Sequence, residues 1–373
     1  MTFAQPFIPL FMSRELGVVD PAELAFWTGA ITASNGVTLI FASPLWGSVA
    51  DRYGRKPMLI RALAGSGFFV GLMSLCQAPW QLAATRFGLG AVTGILPTGS
   101  AMIASLTPRA HVGWALGMIS ASFAVGGATG PLLASLLSAV MGLRATFLVG
   151  GVILVLAAVL VAIVMREARR DAASPRPRVM RELRSLSRPT AIAILVLLLC
   201  QCFLWMGLQS AQPMFALRIL GLAGDSTAAV TGIAFACMGA TSFTASMSYA
   251  RIVRRVGFKR TAYGGLALAS LAILAGALSS SIPVLIGSMT ALGLASGALQ
   301  PTVSSMLGLE APPSLVGTVF GFNNSALAVG IATGPFAIGV IAAHTSPATG
   351  LGLAVVPLAL MFLSLQLVKE PTA

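Results

Sequence analysis

Apolar runs of roughly 20 residues follow one another along nearly the whole chain, and almost all of its charge is confined to the short gaps between them. Wound as a helix, such a run crosses about 30 Å of hydrocarbon. It also satisfies its own backbone donors and acceptors, which lipid cannot do. With 57% hydrophobic and 9% charged residues among 373, the chain has too little charge to cover a soluble surface. The runs fall at 1–13, 23–46, 57–77, 80–105, 113–140 and 145–165, then at 190–217, 226–250, 260–280, 282–306, 315–341 and 349–368. The predicted fold class is therefore an all-α membrane protein of two six-helix bundles. Residues 1–165 form the first unit, 166–189 a basic linker and 190–373 the second unit. The run at 1–13 is about half the needed length, so the native chain is expected to start upstream of Met1; the rival reading is a half-helix that suffices.

The net charge of +13 does not point to nucleic acid, because of where it lies. Nineteen of the 23 Lys and Arg sit in alternate gaps and the tail, among them Arg52, Arg55, Lys56, Arg61, Arg109, the linker arginines, Arg251, Arg254, Arg255, Lys259, Arg260 and Lys369. The opposite gaps hold Arg14, Arg144 and Arg218, and only Arg86 falls inside a run. That asymmetry places the basic gaps on the cytoplasmic side. In the linker, Met180, Leu183 and Leu186 recur at helical spacing, as an interfacial helix or a solvated tether. Cys76, Cys200, Cys202 and Cys237 lie in apolar runs, and His111 and His344 stand alone, so no metal or cofactor is expected.

The two parts of the chain repeat. Pro97–Pro131 aligns with Pro301–Pro335 without a gap, with 15 of 35 positions identical. Both segments open on Pro-Thr and close on Ala-Val-Gly-x-Ala-Thr-Gly-Pro. A repeat of this size implies similar bundles with a substrate path between them. Gly47-Ser48-Val49-Ala50-Asp51-Arg52-Tyr53-Gly54-Arg55-Lys56 reads as a tight charged loop between two runs, and Ala250–Lys259 is its degraded copy. The copy keeps the glycine and lysine but has Arg254 where Asp51 would be.

That ten-residue segment resembles the loop 2–3 signature of the major facilitator superfamily. Gly126-Gly127-Ala128-Thr129-Gly130-Pro131 resembles the antiporter motif of its drug:proton exporters, and Arg86 resembles the arginine of their third signature. Within that family the chain is most similar to the bacterial multidrug exporters associated with fosfomycin and deoxycholate resistance. The resemblance implies a multi-pass protein of the bacterial inner membrane, acting as a monomer on small molecules, with protons as coupling ion. It also implies that Gly47, Asp51, Arg52, Gly54, Arg55 and Lys56 latch the cytoplasmic ends together; the bland alternative is that these cations only set topology.

Arg86 is by the same resemblance a proton-handling group. Otherwise it snorkels to the interface or pairs with backbone carbonyls. Gly126, Gly130 and Pro131, with their twins Gly330, Gly334 and Pro335, make a helix face that permits close approach, either for gating or for plain packing. Asn35, Gln201, Trp205, Gln209, Gln212, Gln300, Asn323 and Asn324 are polar or aromatic groups stranded in apolar runs. Four of them, Gln201, Trp205, Gln209 and Gln212, form one helical stripe. Amides and aromatics without fixed charge suit a broad amphipathic ligand, though interhelical hydrogen bonds would use the same groups. No Asp or Glu lies mid-run, with Glu23 and Glu310 at run ends, so proton coupling would fall to Asp51, Glu23, Arg86 or residues upstream.

Nothing in the sequence assembles a catalytic triad, a metal cluster or a phosphate loop, which excludes an enzyme or an ATP-driven pump. Two functions remain: a secondary exporter of amphipathic toxic compounds by alternating access, and a facilitator-type carrier of a metabolite such as a sugar or organic acid.

Overall fold

The computed structural model describes residues 5–95, 99, 102, 103, 107, 111–165, 186–312, 315–368 and 370. Within these the chain is helical, without strands. After one 3-10 turn come α1 (Ile8–Glu15), α2 (Pro21–Tyr53), α3 (Arg55–Leu72), α4 (Pro79–Val92) and α5 (Val112–Val164). The second half supplies α6 (Arg188–Ala223), α7 (Thr227–Val256), α8 (Phe258–Leu278), α9 (Ile282–Glu310), α10 (Val316–His344), α11 (Pro347–Leu353) and α12 (Val355–Gln366). Eight stretches among the described residues are long and apolar enough to cross a bilayer. Helix α5 contains two arms that break at Gly142, whose φ of 80° and ψ of 167° leave the helical region. This is the gap between the runs at 113–140 and 145–165.

Two expectations need correction. The segment 47–56 is not a loop. Helix α2 continues through Tyr53 and α3 begins at Arg55, so Gly54 alone is non-helical. No residue from Gly47 to Tyr53 lacks an N–H, and the reversal is made by Gly54 at φ 100°, ψ 163°. Its repeat copy does the same: Gly257, at φ 90° and ψ 164°, is the only residue between α7 and α8. The run read as 80–105 is also not one helix. Helix α4 stops at Val92, Thr93 is extended and Gly94 has φ 134°. Pro97 has no N–H to give the Thr93 carbonyl, so a continuous helix there would lose a rung. The linker reading at Met180 and Leu183 lies outside the described residues.

The helices pack through small residues, as expected where lipid supplies no hydrophobic drive between them. Gly67 and Gly151 join α3 to the second arm of α5 backbone to backbone. Gly90 seats α4 on Asn35 and Thr38 of α2. Gly293 and Gly297 seat α9 on Met238, Ser242 and Ala245 of α7. Trp46 ties three helices at the end carrying the Lys- and Arg-rich turns, here the basic end. Its Nε1 donates to the Ala91 carbonyl at 2.6 Å, and the Arg61 guanidinium lies 3.3 Å from its ring centre. Arg61, grouped with the basic gaps by sequence, is thus a partly buried residue of α3.

At the opposite end, Arg144 draws three elements together. It donates to Glu15 Oε2 at 2.8 Å, to the Ser74 carbonyl at 2.9 Å and to the Cys76 carbonyl at 3.0 Å. Arg144→Met is expected to lower stability by about 1–2 kcal/mol, the scale of a few charge-assisted bonds at a partly exposed site. Thermal unfolding in detergent reads this; an unchanged midpoint would show the clasp to be inert.

Candidate functional site

The long seam between the two halves of the chain is built twice, from equivalent residues. Helix α2 meets α10 where Gly29 faces Pro335 and Gly339, and again where Gly36 faces Ala332. Helix α7 meets α5 where Gly232 faces Pro131 and Ser135, and again where Gly239 faces Ala128. Ala128, Pro131 and Ser135 stand at the positions of Ala332, Pro335 and Gly339 in the repeat, and both glycine pairs are seven residues apart. A Cβ on Gly29 would lie 2.8 Å from the Gly339 Cα, one on Gly36 2.8 Å from the Ala332 Cα, and one on Gly239 2.5 Å from the Ala128 Cα. Real Cβ atoms do not approach backbone so closely, so these positions require glycine.

The seam is tight toward the opposite end. There Arg14 donates to the Gly224 carbonyl at 3.2 Å and the Asp225 carbonyl at 3.3 Å. Its guanidinium also lies 3.7 Å from the Asp225 carboxylate, and the Phe26 and Phe336 rings meet edge to face at 6.5 Å. Toward the basic end the same helix faces come apart. Seven and eleven residues beyond Gly239, Ser246 and Ala250 are exposed. On α10, eleven residues before Ala332, Gly321 is exposed, with nothing among the described residues within 4 Å of where a Cβ would stand. Among the described residues the seam is thus close-packed toward the opposite end and exposed at these positions toward the basic end.

Three of the sequence-predicted cavity residues carry buried polar atoms without a hydrogen-bond partner: Gln201 Oε1, Trp205 Nε1 and Asn323 Oδ1. Gln201 and Trp205 are one turn apart on α6. The Gly330–Gly334 face of α10, which carries Asn323 two turns away, packs on Cys202, Trp205 and Met206 of that helix. Buried polar atoms are ordinarily paired, and each orphan costs about 1–3 kcal/mol, so three along one helix pair mark a place that a ligand or water would satisfy. Gln209, Gln212 and Gln300 are half-buried, and Asn324 is exposed. Asn35 lies where α2 meets α4, next to the seam residue Gly36.

Arg86 is 6% exposed in α4, about 10 Å along the helix from its opposite-end start and one turn from the Gly90 contact with α2. Its Nε and Nη2 are buried and unpartnered. The twin motifs differ in their surroundings. Gly330 and Gly334 are packed tightly on α6, whereas Gly126 is exposed and a Cβ there would meet nothing among the described residues; Gly130 is half-buried. Gly47, Asp51 and Arg52 lie in the last turns of α2, and their side chains are outside the described residues. Lys56 Nζ donates to the Ala162 carbonyl at 2.8 Å, tying α3 to α5 at the basic end. No group of three or more His, Cys, Asp or Glu suited to a metal occurs among the described residues.

Sequence reasoning missed the seam glycines Gly29, Gly36, Gly232 and Gly239. The signal was present, as a seven-residue glycine spacing recurring at the repeat offset, but outside the segment where identity is dense. It also missed the Arg14–Asp225 contact, because Arg14 reads as an ordinary gap charge and nothing in the sequence pairs it with Asp225.

The family model described as Major Facilitator Superfamily matches residues 1–248 and 197–373. Multidrug resistance protein MdtG of Escherichia coli K12 is 30% identical over 337 residues, covering 89% of this chain and 82% of the relative. MdtG of Yersinia enterocolitica is 32% identical over 337 residues, covering 88% and 80%. Among solved structures, a point mutant of the nucleoside transporter NupG superposes with a TM-score of 0.78 at 14% identity, covering 99% of this chain and 98% of that one. A bacterial homologue of the human lysosomal transporter Spinster, in an inward-facing and occupied conformation, gives 0.72 at 17% identity over 100% and 97%.

Proposed function

The chain belongs to the major facilitator superfamily, and from that premise we propose that it exports amphipathic toxic compounds across the bacterial inner membrane in exchange for protons. It is a multi-pass membrane transporter and not an enzyme; the rest of this subsection concerns how it works. In this reading the membrane is crossed twelve times, by two six-helix units, 1–165 and 190–373, joined by the linker 166–189. The basic end is cytoplasmic. The protein works as a monomer by alternating access, and the closed end described above is the periplasmic gate.

The observation that carries the proposal is the doubled glycine seam, tight at one end and parted at the other. Two copies of one contact, placed on either side of a central path, rock together about a shared axis. A cleft open to the cytoplasm is the loading state for an exporter. Gln201, Trp205 and Asn323 then offer the substrate neutral hydrogen-bonding groups and an aromatic face, which suits amphipathic compounds of varied shape. The latch residues Gly47, Asp51, Arg52, Gly54, Arg55 and Lys56 close the cytoplasmic ends in the other state. Arg86, a cation kept unpaired at depth, is the charge whose surroundings change with proton entry. Similarity to multidrug resistance proteins over most of the chain favours drugs over metabolites.

The experiment is susceptibility profiling of a deletion strain and an overexpressor, with dye efflux followed in the presence and absence of a protonophore. Overexpression is expected to raise resistance to several unrelated amphipathic compounds, by about fourfold or more, and the protonophore to stop efflux within the energised control's time course. Unchanged susceptibility with altered growth on a sugar or organic acid would replace the drug reading by a metabolite carrier. Efflux indifferent to the protonophore would remove proton coupling.

A further inference from the structure

A groove of about 510 Å3 opens between α7, α8 and α9, away from the seam. None of the candidate cavity residues lines it. One wall runs along a single face of α7 from Thr244 to Val256, the other along α8 from Arg260 to Leu268, and Ala295 and Ala298 of α9 form the floor. Its origin is local. Gly293 and Gly297 clamp α9 to α7, and Gly265 seats α8 on Leu299 of α9. Helices α7 and α8, joined only by Gly257, splay apart above that floor. Beyond the α8 wall of the groove, Leu271 and Leu274 are exposed.

Depth and charge define what fits. From Thr244 to Val256 the α7 wall rises about 18 Å, close to the roughly 15 Å of one leaflet's hydrocarbon. The lining is apolar apart from Thr244, Ser248, Thr261 and Arg260, the last of these at the basic end. Arg260 is exposed at the start of α8, and so are Arg251 and Arg255, next in sequence to the lining residues Ile252 and Val256, with Arg254 and Lys259 nearby in the chain. Among the described residues, the Glu370 carboxylate lies against Gly257, beside these cations. A pocket one leaflet deep, greasy within and cationic at its rim, matches the shape and charge of a lipid with an anionic head. A free anion would leave the apolar walls empty, and a neutral lipid would leave the arginines unmatched.

We propose that this groove binds an anionic phospholipid of the leaflet at the basic end. One acyl chain lies between α7 and α8, and the phosphate group is held by Arg251, Arg255 and Arg260. The site depends on the chain being embedded in a membrane and not on what the protein carries. Because α7 also forms the seam with α5, a lipid wedged beside it sits against a helix that must move when the halves rock.

The test is native mass spectrometry of the full chain in detergent, titrated with dioleoylphosphatidylglycerol or with dioleoylphosphatidylcholine. The protein is expected to retain one phosphatidylglycerol at least about tenfold more tightly than phosphatidylcholine. R255Q/R260Q should weaken that binding about tenfold, whereas R184Q/R188Q, which removes equal charge from the linker and the start of α6, should change it less than about twofold. Gly264→Leu is the second arm. A Cβ at Gly264 meets nothing within 4 Å among the described residues, so a leucine there is expected to enter the groove with the fold retained and to displace the lipid with all five cations intact. Equal loss in the two charge variants would reduce the effect to diffuse attraction. Equal retention of the two lipids, or full binding by Gly264→Leu, would overturn the site.

Discussion

Gly29→Leu is expected to stop transport almost completely, by about a hundredfold or more, in a protein that still inserts and folds. The reason is geometric. A Cβ at this position falls 2.8 Å from the Gly339 Cα and closer still to the Pro335 carbonyl. Both are backbone atoms, so no rotamer change relieves the contact. The relief available is separation of α2 from α10 at the closed end. In the state with that end open, α2 faces the cleft and a leucine costs little. The substitution therefore penalises one state and spares the other, which is what shifts a two-state equilibrium; inverting a 1:99 ratio takes about 5.5 kcal/mol. Gly29→Ala should give a smaller loss. Gly287→Leu is the control, since a Cβ there meets nothing within 4 Å among the described residues. Dye efflux from cells with matched membrane expression measures all three. Normal efflux by Gly29→Leu would mean that the seam does not need to close.

Arg86→Met separates stability from function. A buried guanidinium with two unpartnered nitrogens is a burden on the fold, and replacing such a charge by an apolar side chain of similar length is often neutral or stabilising by about 1–4 kcal/mol. Thermal stability in detergent should hold or rise. Efflux should nonetheless fall by at least about tenfold, because an intramembrane charge without structural pairing is retained for what it does in the cycle. Arg86→Lys keeps the charge and loses the planar fork, so partial activity there assigns the role to charge. A stable Arg86→Met protein with full efflux would make the arginine dispensable. An unstable one would make it structural.

Much of this was legible in the residues because a membrane simplifies the problem. Helix is the default for every long apolar run, so run positions alone place α2, α3, α6 to α10 and the break near Gly142. The repeat between Pro97–Pro131 and Pro301–Pro335 put equivalent prolines in equivalent places, and the structure sets both against glycines of the other half. What could not be read was helix continuity. Charged residues from Asp51 to Lys56 look like a loop, yet charge does not interrupt a helix near the membrane surface, and only Gly54 does. The apolar residues after Val92 look like a span, yet Thr93 and Gly94 break it. Pairings across the chain were also hidden. Nothing in the composition of Arg14 or Asp225 says that they meet across 211 residues, since that depends on how the halves lean. The orphaned atoms of Gln201, Trp205 and Asn323 are a property of packing, whereas their residue types were visible at once.

The central claim is that the two halves rock, so that one end closes as the other opens. Distances between spin labels at Val19 and Leu222, across the end closed here, and at Tyr53 and Leu309, across the basic end, test it most directly when compared between the unsubstituted seam and Gly29→Leu. The account predicts opposite changes: the Val19–Leu222 distance lengthens and the Tyr53–Leu309 distance shortens in the same sample. Two distances that stay fixed, or that lengthen together, would contradict it.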